Sequence, residues 1–111
     1  MIAQDVIDRI RPLINDTVAQ YRWSDDDLID KLNDGLEELW KTRPVAFYES
    51  AIVLTHFTDL TAVGDTMPVG NSYRQALAFF VAFLAYSEDR DDLANAQNAQ
   101  KFFDLYQREL Q

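Results

Sequence analysis

The stretch that decides the fold is Trp23–Pro44, "WSDDDLIDKLNDGLEELWKTRP". Its apolar residues Leu28, Ile29, Leu32, Leu36, Leu39 and Trp40 recur every three or four positions and so share one face of a helix. The start is written in side-chain chemistry. Ser24 is an N-cap residue, and Asp27 stands three positions on, the spacing of a capping box with Asp in place of the usual Glu or Gln. Trp23 before the cap and Leu28 in the first turn have the spacing of a hydrophobic staple. Asp25, Asp26 and Asp27 put negative charge at the positive end of the helix dipole. Pro44 stops the helix and pushes Arg43 out of the α region. Gly35, in mid-helix, costs about 1 kcal/mol relative to Ala. Close approach of another helix there would explain it.

The same aspartates, with Asp30, admit a metal reading. Calcium loops need acidic groups at alternate positions, a central Gly and a late Glu. These carboxylates are consecutive, and on a helix successive side chains diverge by about 100°. They do not converge on one ion, whereas capping accounts for every residue. Trp23, Ser24, Asp27 and Leu28 are therefore read as cap and staple, with no metal site.

Working outward, three more helices are expected. In "IAQDVIDRIRPLIN", from Ile2, the residues Ile2, Val6, Ile10, Leu13 and Ile14 share a face, and either Pro12 kinks the helix or the helix ends just before it. A third helix, about Ser72 to Asp89, is apolar on nearly every side through Ala76, Leu77, Phe79, Phe80, Val81, Phe83, Leu84 and Tyr86. Such a helix is central, or partly covered by another subunit. A fourth follows the acidic turn "EDRDD", capped by Asp91 or Asp92, with a seam of Leu93, Ala96, Ala99, Phe103, Tyr106 and Leu110 and with Phe102 beside it. The short connection makes the last two helices antiparallel neighbours. Between the second and third helices, about residues 46–71, the helical pattern breaks. Val53, Thr55 and Phe57 alternate with Leu54 and His56, and Gly64-Asp65, Pro68 and Gly70 punctuate the rest. The expected fold is mainly α: one small four-helix domain over residues 1–111, with an extended β-hairpin or loop inserted between helices two and three.

Composition limits the function. The net charge of −9 disfavours a broad electrostatic grip on nucleic acid or on an anionic membrane. The absence of cysteine excludes disulfides and thiolate metal sites. Asp5, Asp8 and Arg9 interrupt any signal-peptide pattern, and the run "ALAFFVAFLAY" is shorter than the roughly 18 apolar residues of a membrane span. The single histidine, His56, has no companion that would make a catalytic set. Glu88, Asp89, Asp91 and Asp92 read as a solvated helix–helix turn. No phosphate loop or nucleophile elbow is present. No catalytic, cofactor or metal residue is therefore assigned, and no enzyme is expected.

One resemblance covers nearly the whole chain. Ile14-Asn15-Asp16 close the first helix; Arg22, Trp23, Ser24 and Asp25 lead into the second; Leu28, Ile29, Asp30 and Asn33 lie along it; and Arg43-Pro44 end it. Gly64 precedes Met67-Pro68, and Ala85, Tyr86, Ser87 and Asp89 are followed by Asn95-Ala96. This order resembles the small head-to-tail adaptor proteins of tailed bacteriophages, which form connector rings beneath the portal. Met67 stands where that pattern has Leu, and the extended segment is poorer in glycine. The resemblance implies a structural virion protein of the head–tail neck, assembled in the host bacterial cytoplasm. Its partners would be the portal protein, a tail or stopper protein, and further copies in a ring, typically dodecameric, through which double-stranded DNA passes without specific binding. Membranes and cofactors have no part in it. Phe57, Leu60, Val63, Met67, Phe102 and Tyr106 are the candidate subunit or portal contacts. The alternative is a small acidic helical protein-binding module, such as a regulator or an inhibitor that mimics DNA.

Overall fold

In the computed structural model, residues 1–16, 22–50, 56–88 and 93–111 are described. They form four helices: α1 (Ala3–Leu13), α2 (Asp25–Thr42), α3 (Arg74–Ser87) and α4 (Leu93–Glu109). The chain is mainly helical, and α3 is the central element, packed against α1, α2 and α4. Its buried face is Ala76, Leu77, Ala78, Phe80, Val81, Ala82 and Ala85. The alanines let the neighbouring helices come close. At Gly35 of α2, a Cβ would lie 3.2 Å from Phe80 Cδ1 and 3.6 Å from Leu77 Cδ2, so the expected close approach is that of α3. Leu28, Leu32, Leu36 and Leu39 of α2 and Val6, Ile7 and Ile10 of α1 are fully buried in the same core. Each such side chain contributes about 1.5–3 kcal/mol by leaving water.

Three features differ from the sequence reading. Pro12 lies inside the last turn of α1, and the helix ends one residue later. Residues Pro44–Ser50 form a 3-10 helix rather than the start of an extended segment. The proline's fixed φ suits the first turn of a helix, so Pro44 stops one helix and opens another. On α4 the buried seam is Ala99, Phe102 and Tyr106, and Phe103 is only half-buried. Ala99, Phe102 and Tyr106 are centred on the packed face, and Phe103, at i+4, lies at the edge of the same stripe.

The described part of the inserted segment, residues 56–70, contains no strand. Its single β feature is an antiparallel bridge between Thr66 and Ile2. Val53, Leu54 and Thr55 of the expected strand, and the α4 caps Asp91 and Asp92, lie outside the described residues. We call 56–70 the strap. It crosses the start of α1, where Ile2 offers no side-chain cap, and strap carbonyls take over that task. Ala3 N–H donates to Asp65 O (2.9 Å) and Gln4 N–H to Val63 O (2.8 Å). Two of the orphan donors at the helix start are thus satisfied by a segment some sixty residues away.

Candidate functional site

The densest polar arrangement joins the end of α1 to the start of α2. Asn15 adopts φ 54°, the left-handed conformation that Asn tolerates better than most residues. The reversal it makes brings Asp16 N–H onto Arg11 O at 2.9 Å. The Asp16 carboxylate is buried there. It accepts from Arg11 Nη1 (2.9 Å), Arg22 N–H (2.9 Å) and Trp23 N–H (3.2 Å). Arg11, also buried, donates further to Trp23 O (3.0 Å) and to Asp25 Oδ1 (2.7 Å). A buried guanidinium is tolerable because its fork is met by two carboxylates and a carbonyl.

The cap of α2 follows directly. Asp27 N–H donates to Ser24 Oγ (3.1 Å), and Ser24 N–H to Asp27 Oδ2 (3.3 Å), so both halves of the capping box are made. Trp23 and Leu28 both belong to the buried core. The three aspartates have separate tasks: Asp25 pairs with Arg11, Asp27 closes the box, and Asp26 faces solvent. Among the described residues, no group of three or more His, Asp or Glu side chains is arranged to hold a metal ion.

The end of α3 reaches the same place. Trp23 Nε1–H donates to Glu88 Oε2 (3.1 Å), Lys31 Nζ contacts the other oxygen of that carboxylate, and the Arg22 guanidinium lies 4.5 Å over the indole. Lys31, aided by Trp23, holds the Glu88 carboxyl below its ordinary pKa. Tyr86 Oη donates to Leu13 O at 3.3 Å. Segments 14–16, 22–25 and 86–88 therefore meet at one end of the bundle. Arg11 is the residue that sequence reasoning missed. An arginine next to the proline of an amphipathic helix reads as an exposed dipole partner, and only the fold shows it facing inward.

The strap is the second polar arrangement. Asn33, on α2, makes two reciprocal bonds with Leu60: Nδ2–H to Leu60 O (3.0 Å), and Leu60 N–H to Oδ1 (2.8 Å). Asp65 accepts from Thr61 N–H (2.8 Å), Thr61 Oγ–H (3.0 Å) and Ala62 N–H (3.1 Å), and these donors lower its pKa. His56 lies between Glu37 Oε2, 2.6 Å from Nε2, and its neighbour's carbonyl, Phe57 O, 2.8 Å from Nδ1. The ring stacks on Phe57 and meets the edge of Trp40.

Of the residues expected to offer a subunit surface, Phe57, Leu60, Met67, Phe102 and Tyr106 are all buried within the single chain, and Val63 is half-buried. Phe57, Leu60 and Met67 fasten the strap, while Phe102 and Tyr106 fasten α4. Their apolar faces are already covered by the chain itself. The Tyr106 hydroxyl sits beside Thr42 outside hydrogen-bond geometry, and burial pushes its pKa up. On α3 and α4, the half-buried apolar side chains include Phe79, Phe83, Leu84 and Phe103, which pack around Phe80 and Tyr106.

An open groove of about 400 Å3 lies between α1 and the start of α3, lined by Asp5, Asp8, Arg9 and Arg74 among others. Asp5 is engaged with Ile2 N–H and Asp8 with the Gln4 amide. No helix among the described residues is long and apolar enough to cross a membrane. No protein-family model, curated protein or solved structure matches this chain.

Proposed function

We propose that the chain is a structural adaptor of the head–tail neck of a tailed bacteriophage, a ring component that joins the portal to the tail or stopper. One observation carries this reading beyond the sequence resemblance. Three of the segments that bear the resemblance, Ile14-Asn15-Asp16, Arg22-Trp23-Ser24-Asp25 and Tyr86-Ser87, come together in the fold. They are bonded to one another directly or through their neighbours Arg11, Leu13 and Glu88. These three parts of the pattern thus form one bonded unit where the end of α1, the start of α2 and the end of α3 meet. In this reading neighbouring copies cover the half-exposed Phe83, Leu84 and Phe103, since unpartnered apolar surface marks contact sites. The exposed carboxylates of Asp26, Asp30 and Asp34, four residues apart on α2, would suit a conduit wall that DNA passes without adhering. The protein would be assembled in the host cytoplasm and end in the virion.

The test is to mix the purified chain with the portal protein encoded in the same genome and image the product by electron microscopy. The expected result is an added ring, in a copy number that follows the portal's symmetry. Portal rings that remain bare at high adaptor concentration would overturn the reading. A lumen found to be lined by basic groups would overturn the conduit part alone.

The stripe Asp26, Asp30, Asp34 also favours a second reading, an acidic module that occupies the DNA site of a basic protein. That reading expects tight, salt-sensitive binding to a DNA-binding protein, competed by duplex DNA, and no association with a portal.

A further inference from the structure

His56 is the only histidine in the chain, and both of its ring nitrogens face acceptors. Nε2 is 2.6 Å from a carboxylate oxygen of Glu37, and Nδ1 is 2.8 Å from the carbonyl of Phe57. A neutral imidazole carries one N–H and satisfies one of these acceptors. It turns a lone pair toward the other. Only the imidazolium donates to both. We propose that His56 is a proton-operated latch that holds the leading end of the strap on α2: closed while the ring is charged, and loosened when the ring loses a proton.

The surroundings make this the titrating anchor of the strap. Its other fastenings include amide bonds between Asn33 and Leu60, backbone bonds to the start of α1, and the Asp65 turn. None of these changes charge near neutrality; the Asp65 carboxyl is held below its ordinary value. The charged groups placed against the ring, among the described residues, are Glu37 from α2 and Asp59 from the strap itself. Both are anionic and favour the imidazolium. Trp40 of α2 meets the ring edge-on, and Phe47 of the 3-10 helix packs on both Trp40 and Phe57; these neighbours carry no charge. The Glu37 hydrogen bond raises the His56 pKa, with the Phe57 carbonyl and the two carboxylates adding to it against a smaller effect of burial. The sign follows. Stabilisation by the latch is fully present below the ordinary imidazole pKa of about 6.5 and is lost as pH rises through the higher folded value. Under the latch lie the stacked Phe57 and Phe47 and the buried Leu60, so its release starts to uncover apolar surface that the closed strap hides.

Proton NMR of the full chain tests the proposal. The His56 ring resonances should titrate with a midpoint above 6.5, and the Trp40 indole and Phe57 ring resonances should move with the same midpoint. In Glu37→Gln the His56 midpoint should fall to the ordinary value or below. In His56→Gln the Trp40 and Phe57 resonances should no longer respond between pH 6 and 8.5. An unperturbed His56 midpoint in the wild type would overturn the proposal. So would Trp40 and Phe57 resonances indifferent to its titration. Both variants change exposed side chains, so their folding can be checked independently by the unchanged helical circular dichroism.

Discussion

The α1–α2 junction and the strap do the same mechanical work by different chemistry. Each pins a non-helical segment onto helices. At the junction the fastening is a buried Arg11–Asp16 pair with side-chain exposures of 9% and 8%, closed by backbone donors and a carbonyl. On the strap it is an amide pair and an exposed His56–Glu37 contact, with exposures of 48% and 42%. Burial decides how much each is worth. Breaking a buried ion pair strands a charge away from water, whereas an exposed pair exchanges its partner for solvent at little cost. The junction is therefore built to hold one geometry, and the strap is fastened by contacts that can be released singly.

The largest expected effect is at Arg11. Arg11→Ala leaves Asp16 buried without its cation, and should cost about 3–5 kcal/mol in chemical denaturation. A loss below about 1 kcal/mol would erase the contrast between the two regions. Next is Trp23→Ala, which removes a buried ring and its bond to Glu88 and should cost about 3–5 kcal/mol, at or slightly below the Arg11 variant. On the strap, Asn33→Ala deletes both bonds to Leu60 and leaves that backbone pair without its partner, for about 1–3 kcal/mol. Were it to match Arg11→Ala, the strap would be as integral to the fold as the junction. Ser24→Ala, which removes the α2 cap, should cost about 1 kcal/mol by the same measurement. The smallest effect is on pH. Unfolding midpoints should fall slightly between pH 6 and 8 in the wild type as the His56 latch discharges, and that slope should vanish in Glu37→Gln.

Much of the fold was legible because helices announce themselves locally. Ser24, Asp27 and Pro44 punctuate α2 through bonds and clashes with residues at most four positions away, and its leucine stripe needs only the helical period to be seen. Gly35 even signalled the approach of α3. The inserted segment was harder to read. Alternation of apolar and polar residues suggests a strand, but a strand needs a partner. Residues 53–55 of that alternation lie outside the described residues, and residues 60–67 bond to α2 and the start of α1. Val45 is exposed and Phe47 buried within a 3-10 helix, a distinction that residue type does not make.

The candidate sites divide along the same line. The cap and staple residues were visible because their chemistry is local. The six residues picked as an apolar contact surface were chosen for hydrophobicity, which is shared by cores and interfaces alike; five of them line this chain's own core.

By itself, then, the sequence determined four helices and the cap and stop of α2, because each depends on residues within a turn of one another. Only the tertiary structure decided that Arg11 turns inward to Asp16 and Asp25, that Trp23 meets Glu88 across 65 residues, and that His56 lies between two acceptors. Most of those pairings reach beyond one helical turn, as Arg11–Asp25, Trp23–Glu88 and His56–Glu37 do. What selects the Arg11 and Trp23 pairings is the cost of leaving a buried polar group unpaired, and that cost does not exist until the helices have packed.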